Sequence, residues 1–186
     1  IPLDYTQANW AGNHIWLHKQ PLPLWCMAFS MKMFGLNEFA LRLPSVLLST
    51  LAIYLTYLLG SRLFSWRAGF WAAFFHAVNG LVIEITAGRV ATDHIDLFFL
   101  FFVELAMVLA VWELKRPAEQ NDEKTGFWVV PFLCGLSVGA AILCKWLPAL
   151  VVLPVFAILN KDDQRIVAKC AVVLIATAAV ALPWQI

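Results

Sequence analysis

The chain has 186 residues, 62% of them hydrophobic and 13% charged, where an average soluble domain carries about 25% charge. Its mean hydropathy is +0.77, and thirteen Lys and Arg against twelve Asp and Glu leave a formal net charge of +1. A soluble domain of this size buries only about 70% of its unfolded surface, too little to hide so much apolar side chain, and the same composition excludes disorder, coiled coil, collagen and a disulfide scaffold.

The expected fold is an all-α integral membrane bundle. Residues 1–20 carry Asp4, Trp10, His14, His18 and Lys19 and precede the first apolar stretch. That stretch, Pro21 to Phe34, is too short to span comfortably, holds Lys32 and ends at Gly35-Leu36-Asn37-Glu38. A helix over residues 21–37 lying in the membrane interface suits it better, with Trp25 and Phe29 at i, i+4 on its lipid side. A spanning helix needs about 20 mostly apolar residues, or fewer where flanking side chains snorkel. Six segments within 38–186 qualify: 43–61, 68–83, 97–112, 125–144, 146–160 and 170–186, with 146–160 the shortest. Gly60 to Gly69 reads as a tight turn between two adjacent helices. The polar stretch 115–126 reads as a solvated connector without chemistry.

Six alternating crossings sort the connections onto two faces. One carries eight basic residues (Arg62, Arg67, Lys115, Arg116, Lys124, Lys161, Arg165 and Lys169), and the other carries five (Lys19, Lys32, Arg42, Arg89 and Lys145). The positive-inside rule makes the first face cytoplasmic. The near-neutral total argues against a nucleic-acid partner, which requires clustered positive charge. Cys26, Cys134, Cys144 and Cys170 lie in apolar stretches without metal spacing and read as small buried hydrophobes. The chain starts at Ile1 without Met and stops inside an apolar run, so it is expected to be truncated at both ends.

The outer face collects the groups capable of chemistry: Asp4, Trp10, His14, His18, Lys19, Glu84, Arg89, Asp93, His94, Asp96 and Lys145. Ionisable residues at membrane depth are costly and usually face a protein interior or a wet cavity. Lys19 and Arg89 are suited to a phosphate, one as a point charge and the other as a bidentate fork. The ordinary alternative for both is a snorkelling interfacial cation. Capping of the helix near Leu97 accounts for one carboxylate, but not for Arg89, Asp93, His94 and Asp96 within eight positions. His18, His94 and Asp96 are also candidate ligands for a divalent metal ion, although they form no strict ligand signature. Lys145 either reaches a lipid phosphate or marks a turn, while His76 and Glu104 lie mid-span and read as packed, hydrogen-bonded interior groups.

Several pieces, in order along the chain, resemble one family. His18-Lys19-Gln20-Pro21-Leu22 with Leu24-Trp25 is similar to its acidic-or-His, Lys, Pro-Pro and aromatic pattern ahead of an interfacial helix. Phe34-Gly35 through Arg42-Leu43-Pro44, the turn residues Arg62-Leu63-Phe64 and Arg67-Ala68-Gly69, and Gly88-Arg89 to Asp93 with Phe98-Phe99 match its next junctions. Leu143-Cys144-Lys145 and Pro183-Trp184 match two later ones. The family is the GT-C glycosyltransferases, in the bacterial branch related to protein O-mannosyltransferases and the lipid A aminoarabinose transferase.

The resemblance implies an inverting enzyme of the bacterial inner membrane. It would move a sugar from a polyprenyl-phosphate carrier to a lipid, glycan or protein acceptor on the extracytoplasmic face, among membrane lipids. Residues 1–20 would then be part of the first extracytoplasmic loop. Lys19 would contact the carrier phosphate and Asp93 would be the acidic catalytic residue of the second outer loop. His18 would stand where relatives often have Glu, with Arg89, His94, Asp96 and Lys145 around the substrate. Asp93 is one position early when counted from Arg89, and the principal base is expected upstream of Ile1. A transporter or flippase subunit is the rival from another class; it calls for an internal repeat and broken spans in matching halves, and no such repeat is evident.

Overall fold

A computed structural model describes residues 20–87, 95–114 and 126–185, and every regular element among them is helical. Pro21, which has no amide hydrogen to waste in a first turn, opens α1 (Pro21–Phe34). Gly35 ends it at φ 86°, a left-handed conformation that costs glycine nothing. Asn37 then serves two helices with one side chain. Its Nδ2 donates to the Phe34 carbonyl at 2.9 Å, and its Oδ1 accepts the Ala40 N–H at 2.8 Å to cap α2 (Glu38–Leu63).

α2 turns at Phe64 into α3 (Trp66–Ala77), capped by Ser65, whose hydroxyl accepts the Ala68 N–H at 3.2 Å. The expected tight turn is present, and glycine makes it possible. A Cβ at Gly69 would fall 2.1 Å from Ser61 Oγ and 2.5 Å from the Tyr57 carbonyl. The single span expected over 68–83 is corrected to two pieces: α3 and α4 (Gly80–Thr86) meet at a 54° bend. Asn79-Gly80 explains the break, because the Asn79 side chain accepts the Val82 N–H at 3.2 Å and starts a new helix.

α5 (Ile95–Leu114), α6 (Gly126–Lys145) and α8 (Ile166–Gln185) follow the expected spans within a few residues. The 146–160 segment is a five-residue 3-10 turn (Leu147–Val151) running into the short α7 (Val152–Leu159). By length and composition, four helices can cross a membrane, or five if the bent pair counts as one, rather than six. The short segment still returns the chain to the far end. Asn160, just past α7, donates to the Ala110 carbonyl at 3.3 Å, near the C-terminus of α5. Five 3-10 and eight α residues rise about 22 Å, close to the roughly 21 Å from Asp96 to Ala110 along α5.

The core lies between α5, α6, α7 and α8, built from Ala106, Ala110, Cys134, Val138, Ala141, Val152, Phe156 and Val173. Small residues let α6 and α8 approach closely, with Gly135 against the Val173 backbone and Gly139 against the Thr177 carbonyl and the Val180 side chain. Thr177 donates to the Gly135 carbonyl at 3.1 Å across the same seam. The large residues left on the outside, among them Leu47, Leu51, Phe70, Phe74, Phe75 and Ile175, give the bundle an apolar exterior, as a lipid solvent requires. All four cysteines are free and buried or half-buried, as small hydrophobes should be, and burial pushes the Cys26 thiol up.

At the Ala110 end, Lys169 corrects the expectation of a basic surface position. It is fully buried, and its ammonium donates to both Glu113 of α5 and Asp163 of the α7–α8 turn. Arg62, from the end of α2, lies 5.1 Å from the Trp112 ring centroid. Burial alone would raise the Asp163 carboxyl, but hydrogen bonds from Lys169 and the Arg165 amide, with the charges of both, hold it below the ordinary carboxylate value. A carboxyl lowered in the folded state stabilises above its unfolded value of about 3.9, and that contribution is lost as pH falls through the folded value. The thermal midpoint gap between wild type and Asp163→Asn is therefore expected to hold from pH 7 to 5 and close below about pH 4. A constant gap would mean that Asp163 acts through packing alone.

Candidate functional site

The opposite end of the bundle holds the candidate site. Asp96 lies in the first turn of α5 and Lys145 is the last residue of α6, each at the helix terminus whose dipole favours its charge. Their side chains meet, Lys145 Nζ donating to Asp96 Oδ1 at 2.6 Å. The two side chains are 51% and 35% exposed, so the pair contributes at most about 1 kcal/mol to stability. It leaves both charges within reach of a ligand.

α1 packs against this end. Leu22 and Cys26 pack against a cluster formed by Ile95, Phe98 and Cys144, of which Ile95 and Cys144 adjoin Asp96 and Lys145 in the chain. Trp25 meets Trp184, near the end of α8, edge to face with centroids 5.6 Å apart. Trp25 and Phe29 are exposed, as the i, i+4 spacing predicts. On the other side, Arg42 donates to the Ala87 carbonyl and pairs with Glu38 at 2.5 Å, tying the start of α2 to the end of α4. Thr86 donates to Ser49 at 3.1 Å in the same seam. Gln20, Ala87 and Ile95, which flank the segments carrying most of the candidate residues, thus belong to one end of the bundle.

Of the residues picked from sequence, Asp96 and Lys145 are brought together, and Glu84 is exposed on α4. His18, Lys19, Arg89, Asp93 and His94 lie outside the described residues. Asp96 is thus the one metal-ligand candidate of the three that is placed, and among the described residues no three His, Cys, Asp or Glu side chains are grouped for a metal. Sequence reasoning did not foresee the Arg42 tie to Ala87, although Glu38 and Arg42 at i, i+4 carried half of its signal.

His76 and Glu104 are interior groups joined through α2, as expected. Thr56 Oγ1 lies 2.6 Å from His76 Nδ1 and 3.2 Å from Glu104 Oε1. The imidazole and the carboxylate are 3.8 Å apart. His76 immediately precedes the α3–α4 break, so this polar knot pins the bend against α2 and α5.

Apolar helices long enough to cross a membrane, packed as a bundle with a half-exposed ion pair at one end and a buried one at the other, define a multi-pass membrane protein. No solved structure matches the chain. The chain belongs to the dolichyl-phosphate-mannose-protein mannosyltransferase family, matching it over residues 18–185. It is similar to the undecaprenyl phosphate-alpha-4-amino-4-deoxy-L-arabinose arabinosyl transferase of Pseudomonas aeruginosa, with 27% identity over 96% of this chain and 32% of the relative. The enzymes of that name from Pseudomonas fluorescens (28%, covering 95% of this chain and 31% of the relative) and Pseudomonas savastanoi pv. phaseolicola (26%, 96% and 33%) are similar in the same way. The chain spans about a third of the length of these relatives.

Proposed function

We propose that this chain is part of an inner-membrane glycosyltransferase that moves a sugar from a polyprenyl-phosphate carrier to a lipid, glycan or protein acceptor on the extracytoplasmic face. The observation that carries the reading is the Asp96–Lys145 pair: two accessible charges meet at the end of the bundle where Gln20, Ala87 and Ile95 flank the segments holding Lys19, Arg89 and Asp93. The family and the similar enzymes of Pseudomonas support a lipid-linked donor. The excess of basic residues at the Glu113 end supports a cytoplasmic assignment for that end and an outward one for the site.

In the transfer, the bond between the sugar's anomeric carbon and the phosphate oxygen breaks, and its electron pair stays on the departing phosphate. The acceptor attacks the anomeric carbon through an oxocarbenium-like transition state and gives up its proton to a carboxylate base. Lys19, Arg89 and Lys145 are assigned to the developing phosphate charge, where fixed cations act more strongly in the transition state than on the bound donor. Asp93 is assigned as the acidic residue of the second outer loop, His18 and His94 are assigned to substrate binding, and Asp96 holds Lys145 in place. α1 keeps the donor's lipid tail in the bilayer while its head group meets the polar end.

The test uses the full-length protein in membranes with a polyprenyl-phospho-sugar. Lys19→Ala and Asp93→Ala are each expected to lower turnover about 100-fold or more, the usual loss of a transition-state contact. Near wild-type turnover in both variants would remove the basis of the assignment.

A further inference from the structure

Trp146 is the only residue other than glycine at positive φ among the described residues, at φ 66° and ψ −145°. Glycine occupies that region freely, whereas a residue with a Cβ is strained there. The strain is confined to one residue: the Trp146 N–H still completes α6 by donating to the Ile142 carbonyl at 2.8 Å, and the 3-10 turn begins at Leu147. Burial does not explain the choice, since Trp146 is 50% exposed. Anchoring at the bilayer boundary does not explain it either, because a belt of Trp needs only the right depth. Trp25 and Trp184 meet that need at the same end on ordinary helical backbone.

We propose that Trp146 is a substrate-contacting residue whose indole stacks against the sugar ring of the lipid-linked donor, beside the Asp96–Lys145 pair. This rests on the transferase reading above. An indole offers a flat apolar face and one N–H donor, which matches a sugar ring with an apolar C–H face and a polar rim. Sugar and phosphate are neighbouring groups on the donor, and a stacking face and a cation are supplied here by the consecutive residues Trp146 and Lys145. The strained backbone is retained because glycine, which would relieve it, offers no face.

The experiment compares wild type, Trp146→Leu, Trp146→Phe and Trp146→Gly in the full-length protein, using a panel of undecaprenyl-phosphate-linked sugars that includes the 4-amino-4-deoxy-L-arabinose donor. Undecaprenyl phosphate without sugar serves as competitor. Trp146→Leu is expected to raise the donor KM about tenfold, leave inhibition by bare undecaprenyl phosphate within about twofold, and be rescued by Trp146→Phe to within about threefold. Trp146→Gly should lose donor affinity equally while its thermal midpoint stays level or rises. An unchanged KM in Trp146→Leu, equal losses for donor and bare carrier, or a lower midpoint in Trp146→Gly each overturn the proposal. A wild-type protein that transfers no sugar from any donor sinks the transferase reading itself, which separates the two failures.

Discussion

Lys169→Met is expected to destabilise the protein by about 3–5 kcal/mol, the cost of removing one partner from a buried ion pair and leaving the other charge in place. Glu113 and Lys169 are both essentially excluded from solvent, and their pairing joins the last turn of α5 to the first turn of α8, 56 residues apart. Methionine keeps the volume and loses the charge, so the effect reads electrostatics rather than a cavity. The double variant Glu113→Gln, Lys169→Met is expected to recover more than half of the loss, since no uncompensated carboxylate is then buried at that position. Thermal unfolding of the purified full-length protein in detergent measures both. A Lys169→Met midpoint within about 1 °C of wild type would show that the carboxylate finds water there and that the pair holds nothing together.

Gly135→Val is the second large effect, expected at about 3 kcal/mol, the upper end of the range for overpacking. A Cβ at Gly135 would stand 2.4 Å from the Val173 carbonyl and 2.7 Å from Ala176 Cβ, and the backbone of α8 cannot swing aside as a side chain can. Relief requires α6 and α8 to separate, which also lengthens the hydrogen bond from Thr177 to the Gly135 carbonyl, now 3.1 Å. Gly80→Ala is the control, because a Cβ there meets nothing within 4 Å; it is expected to be neutral or slightly stabilising. If both variants melt with wild type, the α6–α8 seam is not packed as closely as described.

These two sites differ in how far the sequence announced them. Gly135 and Gly139 at i, i+4 in an apolar span are a readable pattern for close helix contact, although the pattern does not name the partner helix. Lys169 announced nothing. Among the basic residues counted toward one membrane face it looked like Lys161 or Arg165, and only the approach of α5 takes it out of water. Asn79-Gly80 is a residue pair that interrupts helices, but a span drawn from Arg67 to Glu84 by the absence of charge passes over it. The strain at Trp146 had no signal at all, because no side chain on either side of it demands a positive φ.

For the site, the sequence went as far as sides and charges. Counting charges between apolar runs placed Asp96 and Lys145 on one face before any helix was seen. Their contact at 2.6 Å is a property of two helices running antiparallel with matched lengths, 49 residues apart in the chain.

What the sequence alone determined was the solvent and much of the segment plan: an all-α membrane protein with a short helix ahead of its spans. Apolar content and run length carry that information because burying a backbone in lipid leaves few structures to choose from. What only the tertiary structure decided was which charges pair, which are buried, and where the backbone is strained. Those depend on contacts between residues far apart in the chain, and local pattern does not encode distance across a bundle.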